Sequence, residues 1–214
     1  MRPLALELEG VRHRHRGATL DTPAALSARL EPGDRALLVG PNGSGKTTLL
    51  YRIVGLLQGE GTVRVDGVAV EPRSATAVRR GVGFLWQNPD DALLLPTCLE
   101  DVALGPVNDG EPPARAREIA ADWLGRLGIA YLADRAPRRL SMGEKQLVAL
   151  AGVLAREPGL LLLDEPAASL DAGARERLAA ALDGLEATML LVSHEPDFWL
   201  GRESGWSVVT AGSR

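Results

Sequence analysis

Gly40-Pro41-Asn42-Gly43-Ser44-Gly45-Lys46-Thr47 decides how this chain is read, because it meets the pattern G-x-x-x-x-G-K-[ST] at Gly40, Gly45, Lys46 and Thr47. Glycines let successive backbone N–H groups turn toward phosphate oxygens, and a helix that follows adds the partial positive charge of its N-terminus. Lys46 is suited to neutralising β- and γ-phosphates, and the Thr47 hydroxyl to ligating Mg2+. The flanks agree with this reading. Arg35 to Gly40 is a short apolar strand that runs into the loop, and beyond it Leu49, Leu50, Ile53, Val54 and Leu57 fall at helical spacing. Gly40 to Thr47, with Thr48 behind it, is therefore a candidate nucleotide-binding loop. The competing reading, a Gly-rich turn with a chance lysine, does not explain the strand before it and the helix after it.

A phosphate loop also needs an acid for its metal. Leu160-Leu161-Leu162-Leu163-Asp164-Glu165 supplies one, since an apolar strand delivers Asp164 at its carboxyl end, where ligand groups gather in open α/β sheets. Asp164 fits the magnesium role, and Glu165 fits a general base that orients or deprotonates an attacking water.

Further strands are predicted at Leu4 to Glu9, Ala25 to Leu30, Thr62 to Asp66, Gly83 to Trp86 and Met189 to Ser193, and further helices at about Ala114 to Leu127, Met142 to Arg156 and Ala172 to Leu185. Strands alternating with helices indicate an α/β fold with a largely parallel sheet. Gly105, Pro106, Gly110, Pro112 and Pro113 read as a connection inside a mostly helical insert. The expected organisation is a single domain, with residues 1–87 and 158–214 forming the α/β core and 88–157 the helical part.

Composition narrows the function classes. A formal charge of −4 gives no polycationic surface, so nucleic acid is not an expected partner. The only lysines are Lys46 and Lys145, which makes a lysine in the loop conspicuous. A single cysteine, Cys98, excludes an intrachain disulfide and reads as a small half-buried residue. No run approaches the roughly 20 apolar residues that span a bilayer, so the expectation is a cytoplasmic chain without direct membrane insertion.

Leu140-Ser141-Met142-Gly143-Glu144-Lys145-Gln146 resembles the signature motif, usually LSGGQ, of ATP-binding-cassette ATPases. Gln87 resembles the glutamine of their Q-loop, Ser169-Leu170-Asp171 their D-loop, and His194 their switch histidine. All occur in the family's order, and the resemblance covers about Leu4 to Glu195. It implies a P-loop NTPase core of ABC type with an inserted helical subdomain and an N-terminal antiparallel β part. ATP and Mg2+ are the implied cofactors, with Thr47, Gln87 and Asp164 around the metal. It further implies a head-to-tail pair of cassettes, of one chain or of two different ones. Ser141 and Gly143 of one would then contact nucleotide bound to the other, with Asp171 nearby, while Glu165, His194 and Gln87 act on the γ-phosphate and attacking water. The resemblance departs at Met142, which adds bulk, and at Glu144, which brings an acid. An adenine-stacking ring is expected before the second strand; this chain offers His13 or His15, of which His15 aligns better, against the alternative of a solvated basic turn.

Gln87-Asn88-Pro89-Asp90-Asp91, continuing from Pro96 to Pro106, resembles the QNPDDQ…PTVEEDVAFGP stretch of energy-coupling-factor transporter ATPases. That group powers uptake of metal ions such as cobalt and nickel, or of vitamins, through polytopic membrane subunits. The resemblance implies a groove around Gln87 to Asp101 that receives helices of such a subunit, at the inner face of the membrane. Asp90 and Asp91 taken alone read as a helix cap or an acidic turn. Only Glu195 to Arg214 follows His194, so pairing is expected to rest on nucleotide and on the membrane partner. A cassette acting on nucleic acid or ribosomes, and a small-molecule kinase, are the competing readings. The first lacks the long coiled-coil insertion or second cassette it usually carries, and the second lacks an explanation for the signature and switch motifs.

Overall fold

Alternation of apolar and polar residues builds the first sheet. The computed structural model describes residues 2–12 and 25–211. Strand β1 (Leu6–Arg12) buries Leu6 and Leu8 and exposes Glu9, the period-2 pattern of a strand with one face on a core, and a register shift before Val11 buries that residue as well. It pairs antiparallel with β2 (Leu26–Leu30). Strand β3 (Arg35–Val39) leads through the Gly-rich loop into α1 (Lys46–Ile53). Strands β4 (Glu60–Val65) and β5 (Val68–Ala69) complete an antiparallel sheet of order β2-β1-β4-β5. The short helix α2 (Ala75–Arg80) then leads to β6 (Val82–Leu85).

Three helices follow: α3 (Cys98–Asn108), α4 (Pro113–Arg126) and α5 (Met142–Leu154). Strand β7 (Leu160–Asp164), α6 (Ala172–Asp183), β8 (Thr188–Val192), α7 (Pro196–Leu200) and β9 (Ser207–Thr210) complete the chain. The second sheet has the order β6-β7-β8-β3-β9, with β7, β8, β3 and β9 parallel. Strands β7 and β8 are buried along their whole length, which is why they read as unbroken apolar runs.

The described residues cluster into two units. One comprises Met1–Phe84, Gly159–Asp164 and Glu186–Arg214, and its core joins Leu6, Leu8, Leu38, Leu50, Ile53, Leu162 and Leu190 in one hydrophobic cluster. The other comprises Leu85–Pro158 and Glu165–Leu185, in which α3 packs on α4 and α5. Residues 165–185, grouped with the α/β core in the sequence reading, cluster here with the helices; Arg177 of α6 lies against Gly128.

One expectation is corrected. Gly105 and Pro106 belong to the helix α3 and not to an irregular connection. Proline removes a backbone donor and crowds the preceding turn, but Pro106 falls in the last turn of α3, where its carbonyl accepts from Asp109 and Glu111. The helix is started by Thr97, whose side chain accepts the Glu100 N–H, and it buries Cys98, Val102, Ala103 and Pro106 along one face. Elements α2, α7, β5 and β9 were also not predicted; each is short, and β9 buries almost nothing.

Truncating the α/β core at its centre should show how much of the fold depends on it. Leu162→Ala removes a side chain with no exposed surface and is expected to destabilise the protein by about 2–5 kcal/mol, read as a lower denaturant midpoint at unchanged slope.

Candidate functional site

The α/β unit brings the loop, an acid and a histidine together. Gly45 is the N-cap of α1 with φ 86°, a left-handed conformation open to glycine at little cost, and no side chain caps the helix. The first backbone donors of α1 are thus not occupied by a side chain, which suits an anion. Ser44 Oγ is buried in the same loop with no hydrogen-bond partner. Lys46 is 8% exposed, and its ammonium donates to the carbonyls of Gly40 (2.9 Å) and Pro41 (3.1 Å). Thr47 and Thr48 lie in the first turn of α1.

Asp164 ends β7 and is 2% exposed. Burial pushes its carboxyl above the usual range, while a hydrogen bond from Thr47 and the charges of Lys46 and His194 oppose that shift. His194 follows β8 by two residues, and β8 places Val192 in register with Asp164. Three residues distant in sequence (Thr47, Asp164 and His194) therefore meet at the carboxyl ends of parallel strands. A buried hydroxyl without a partner, an uncapped helix start and a buried cation fit a polyphosphate. Thr47 and Asp164 supply one hydroxyl and one carboxylate, the hard oxygen donors of a Mg2+ that also uses phosphates and water. No group of three His, Cys, Asp or Glu among the described residues forms a metal cage by itself.

The second unit carries the other candidates. Glu165 is 7% exposed and has φ 51°, a left-handed backbone that a non-glycine residue seldom adopts and that marks functional positions. Gln87 lies exposed just beyond β6. Ser141 is the N-cap of α5 in a full capping box: its hydroxyl accepts the Glu144 N–H, and Glu144 Oε2 accepts from Ser141 N–H and Oγ–H, each at 2.9 Å. Tyr131 also donates to Glu144. The departure at Glu144 thereby has a local cause, and these hydrogen bonds hold its carboxyl below the usual range. A Cβ at Gly143 would lie 2.9 Å from the Ser169 carbonyl oxygen, so this glycine is needed for the close approach of the Ser169 segment. Asp171 caps α6 by accepting the Ala174 N–H at 2.8 Å, a structural task besides any contact with nucleotide. Met142 is 44% exposed.

The turn after Gln87 is capped by the Asn88 side chain, and neither Asp90 nor Asp91 takes the capping role suggested by sequence. Asp101 was not singled out in sequence, yet its buried carboxylate accepts the N–H groups of Leu94 and Leu95 and fixes that loop. Its signal was the Thr97-x-x-Glu100 capping pattern, which announces a helix carrying Asp101 in its first turn. His15, the candidate for stacking on adenine, lies outside the described residues.

Comparison with known proteins places the chain in a family. The family described as ABC transporter matches residues 24–168. The chain belongs to the ABC transporter family. A candidate ABC transporter ATP-binding protein of Nitratidesulfovibrio vulgaris is 47% identical over 195 residues, covering 90% of this chain and 71% of that protein. Another from Streptomyces coelicolor is 45% identical over 164 residues, covering 76% of this chain and 63% of that protein. The chain thus spans roughly two thirds of the length of these relatives. Among solved structures, cbiO1 from Clostridium perfringens, part of the ABC transporter complex cbiONQ, superposes with a TM-score of 0.79 at 27% identity, over 96% of this chain and 86% of that one. An ATP-binding cassette solved as a dimer in a post-hydrolysis state with ADP and Pi superposes with a TM-score of 0.83 at 25% identity, over 95% of this chain and 94% of that one. The chain is an ATP-binding and ATP-hydrolysing subunit of this family, and its cofactors are ATP and Mg2+.

The buried acid generates a prediction with a definite sign. A carboxyl whose folded pKa lies above its unfolded value favours folding at low pH, and that contribution is lost as pH rises through the folded value. At neutral pH without nucleotide, burial of the Asp164 carboxyl therefore counts against folding. Asp164→Asn is expected to raise the melting temperature of the nucleotide-free protein, by roughly 2–4 °C per kcal/mol relieved, and to abolish Mg2+-dependent hydrolysis. A lower melting temperature by calorimetry at pH 7 would contradict the assignment of burial as the dominant effect.

Proposed function

We propose that this chain is the motor subunit of an importer of the energy-coupling-factor type, working from the inner face of the membrane and driving uptake of a metal ion or vitamin through separate polytopic subunits. The observation that carries this is the Gln87 to Pro106 stretch. Its loop is fixed by the buried Asp101 and leaves Leu94 75% exposed, an apolar side chain on a clamped loop that suits a docked helix. Similarity to cbiO1, itself part of a transporter complex, supports the same reading. No helix among the described residues is long and apolar enough to cross a membrane, so passage would belong to partner subunits.

In this reading two chains, identical or different, pair head to tail around two nucleotides. The loop from Gly40 to Thr48 binds the phosphates through backbone donors, and Lys46 neutralises their charge. Thr47 and Asp164 would hold the Mg2+, and Gln87 is the further contact that the family resemblance implies. Bound Mg2+ supplies charge neutralisation and orientation of the phosphate oxygens. Glu165 accepts a proton from the attacking water, and its burial and constrained backbone hold the carboxylate in one direction. His194 lies close enough to influence Asp164 and so borders the phosphate end of the site. Ser141 and Gly143 complete the partner's site from the start of α5, and Asp171 keeps the neighbouring segment in place.

Two variants test the mechanism. Glu165→Gln is expected to lower turnover by about 10²–10⁴-fold while ATP binding survives, and to accumulate an ATP-bound dimer by light scattering. Turnover at the parent rate would remove Glu165 from the role of base. Lys46→Ala is expected to weaken ATP binding itself, measured by fluorescence titration. Co-purification with a polytopic membrane protein is the expected association, and stable binding to nucleic acid or ribosomes instead would overturn the transport reading.

A further inference from the structure

One ion pair in the helical unit is used by none of the roles above. Lys145 Nζ donates to Asp90 Oδ1 at 2.6 Å. The lysine side chain is 14% exposed and the aspartate 53%, so the lysine stem is packed while its ammonium meets a carboxylate that faces solvent. Composition makes the choice of lysine notable: of 24 Lys and Arg residues, only Lys46 and Lys145 are lysines. A compact ammonium is thus the exception in this chain. One of the two is the cation of the phosphate loop, and the other is committed to Asp90.

Both ends of the pair are held by their own segments. The Asn88 side chain accepts the Asp90 N–H, Pro89 is buried, and the Pro89 carbonyl accepts from Ala92 and Leu93. This turn packs against α5. Lys145 is the fourth residue of α5, its N–H bonded to the Ser141 carbonyl at 2.9 Å, one residue beyond Glu144 and two beyond Gly143. The pair therefore ties the segment that begins at Gln87 and presents Leu94 to the first turn of the signature helix. A solvated surface pair contributes little. Here, removing Asp90 strips a half-buried lysine of its partner, and the two segments lose their charged link.

We propose that Asp90 and Lys145 are positioning residues: their ion pair fixes the start of α5 to the segment after Gln87, so that the surface around Leu94 and the signature residues Ser141 and Gly143 keep one relative arrangement. This rests on the two-cassette reading given above, in which Ser141 and Gly143 act on nucleotide held by a second chain. The ammonium is engaged by Asp90 and the pair lies outside the loop from Gly40 to Thr48, so its loss should lower turnover and leave the binding of ATP to a single chain unchanged.

The test uses the full chain with Asp90→Asn, Lys145→Met, the two together, and the reversed pair Asp90→Lys with Lys145→Asp. ATP turnover is measured against ATP and against protein concentration, with binding of a fluorescent ATP analogue and melting temperature in parallel. Each single variant is expected to lose roughly threefold to tenfold in kcat, with nucleotide affinity within about twofold of the parent, and the double variant to fall no further than the worse single one. The reversed pair is expected to recover most of the parent rate, which separates a specific pair from general damage to the fold. Parent-like rates in both single variants, additive losses in the double variant, or a reversed pair no better than the singles would each overturn the inference while leaving the two-cassette reading intact. If turnover per chain in the parent did not rise with protein concentration, either alone or with a second cassette chain added, the two-cassette reading would fail, and this inference with it.

Discussion

A carboxylate carried to the end of a buried strand is the constraint around which the rest of the α/β unit is arranged. Strand β7 has no exposed residue, and its last position is Asp164. An ionised acid there is opposed by desolvation and is tolerated because Thr47, Lys46 and His194 surround it with a donor and two basic groups. Two of those three come from the first turn of α1 and the third from the segment after β8. The parallel register of β7 with β8 and of β8 with β3 is what brings them to one edge. The hydrophobic cluster of Leu38, Leu50, Leu162 and Leu190 holds this charged arrangement in place. Placing such a group costs stability in the empty protein and serves function in the loaded one.

The parts of this unit that were legible in the sequence are those whose chemistry is local. The run from Gly40 to Thr47 contains its own glycines, cation and hydroxyl, and the strand and helix beside it have unambiguous periods. Leu160 to Asp164 is readable for the same reason, since a fully buried strand shows as a continuous apolar run that ends where the acid begins. The legibility fails where one residue type carries two meanings. Gly105 and Pro106 signal a break in most contexts, yet the last turn of a helix accepts both, and the start signal at Thr97 and Glu100 outweighs them. Asp90 looked like a cap because capping is a matter of nearest neighbours. Its partner Lys145 lies 55 residues away, which no local pattern reveals. Asp101 was hidden by the same misread helix.

The first turn of α5 shows how several demands are met within one short stretch. Ser141 and Glu144 satisfy each other's backbone donors, Gly143 is kept small by the Ser169 carbonyl, and Lys145 is engaged by Asp90. Each contact uses a different residue and a different direction, so none competes with another. In the proposed head-to-tail pair, a helix start that meets a partner's phosphate would gain from such restraint. Any slack in the turn has to be removed when the partner binds, and that entropy is subtracted from the affinity.

Glu144 in place of the usual glutamine is accommodated by the same geometry. A carboxylate near a helix N-terminus is favourable by itself, and here it also collects donors from Ser141 N–H, Ser141 Oγ–H and Tyr131 O–H. Those donors spread its charge and hold it ionised, so the acid acts chiefly on its own turn. The capping box occupies the amides of Ser141 and Glu144, which leaves those of Met142 and Gly143 as the helix donors it does not use. Met142 extends outward and its backbone donor is independent of its side chain, so bulk at this position does not by itself remove the amide from service. What the pair Met142 and Glu144 changes is the setting of those two amides: a larger neighbour and a nearby anion in place of a glycine and a neutral amide. In the proposed pairing, the nearby anion would oppose a second anion to the extent that its donors leave its charge unspent, while both backbone donors stay in place.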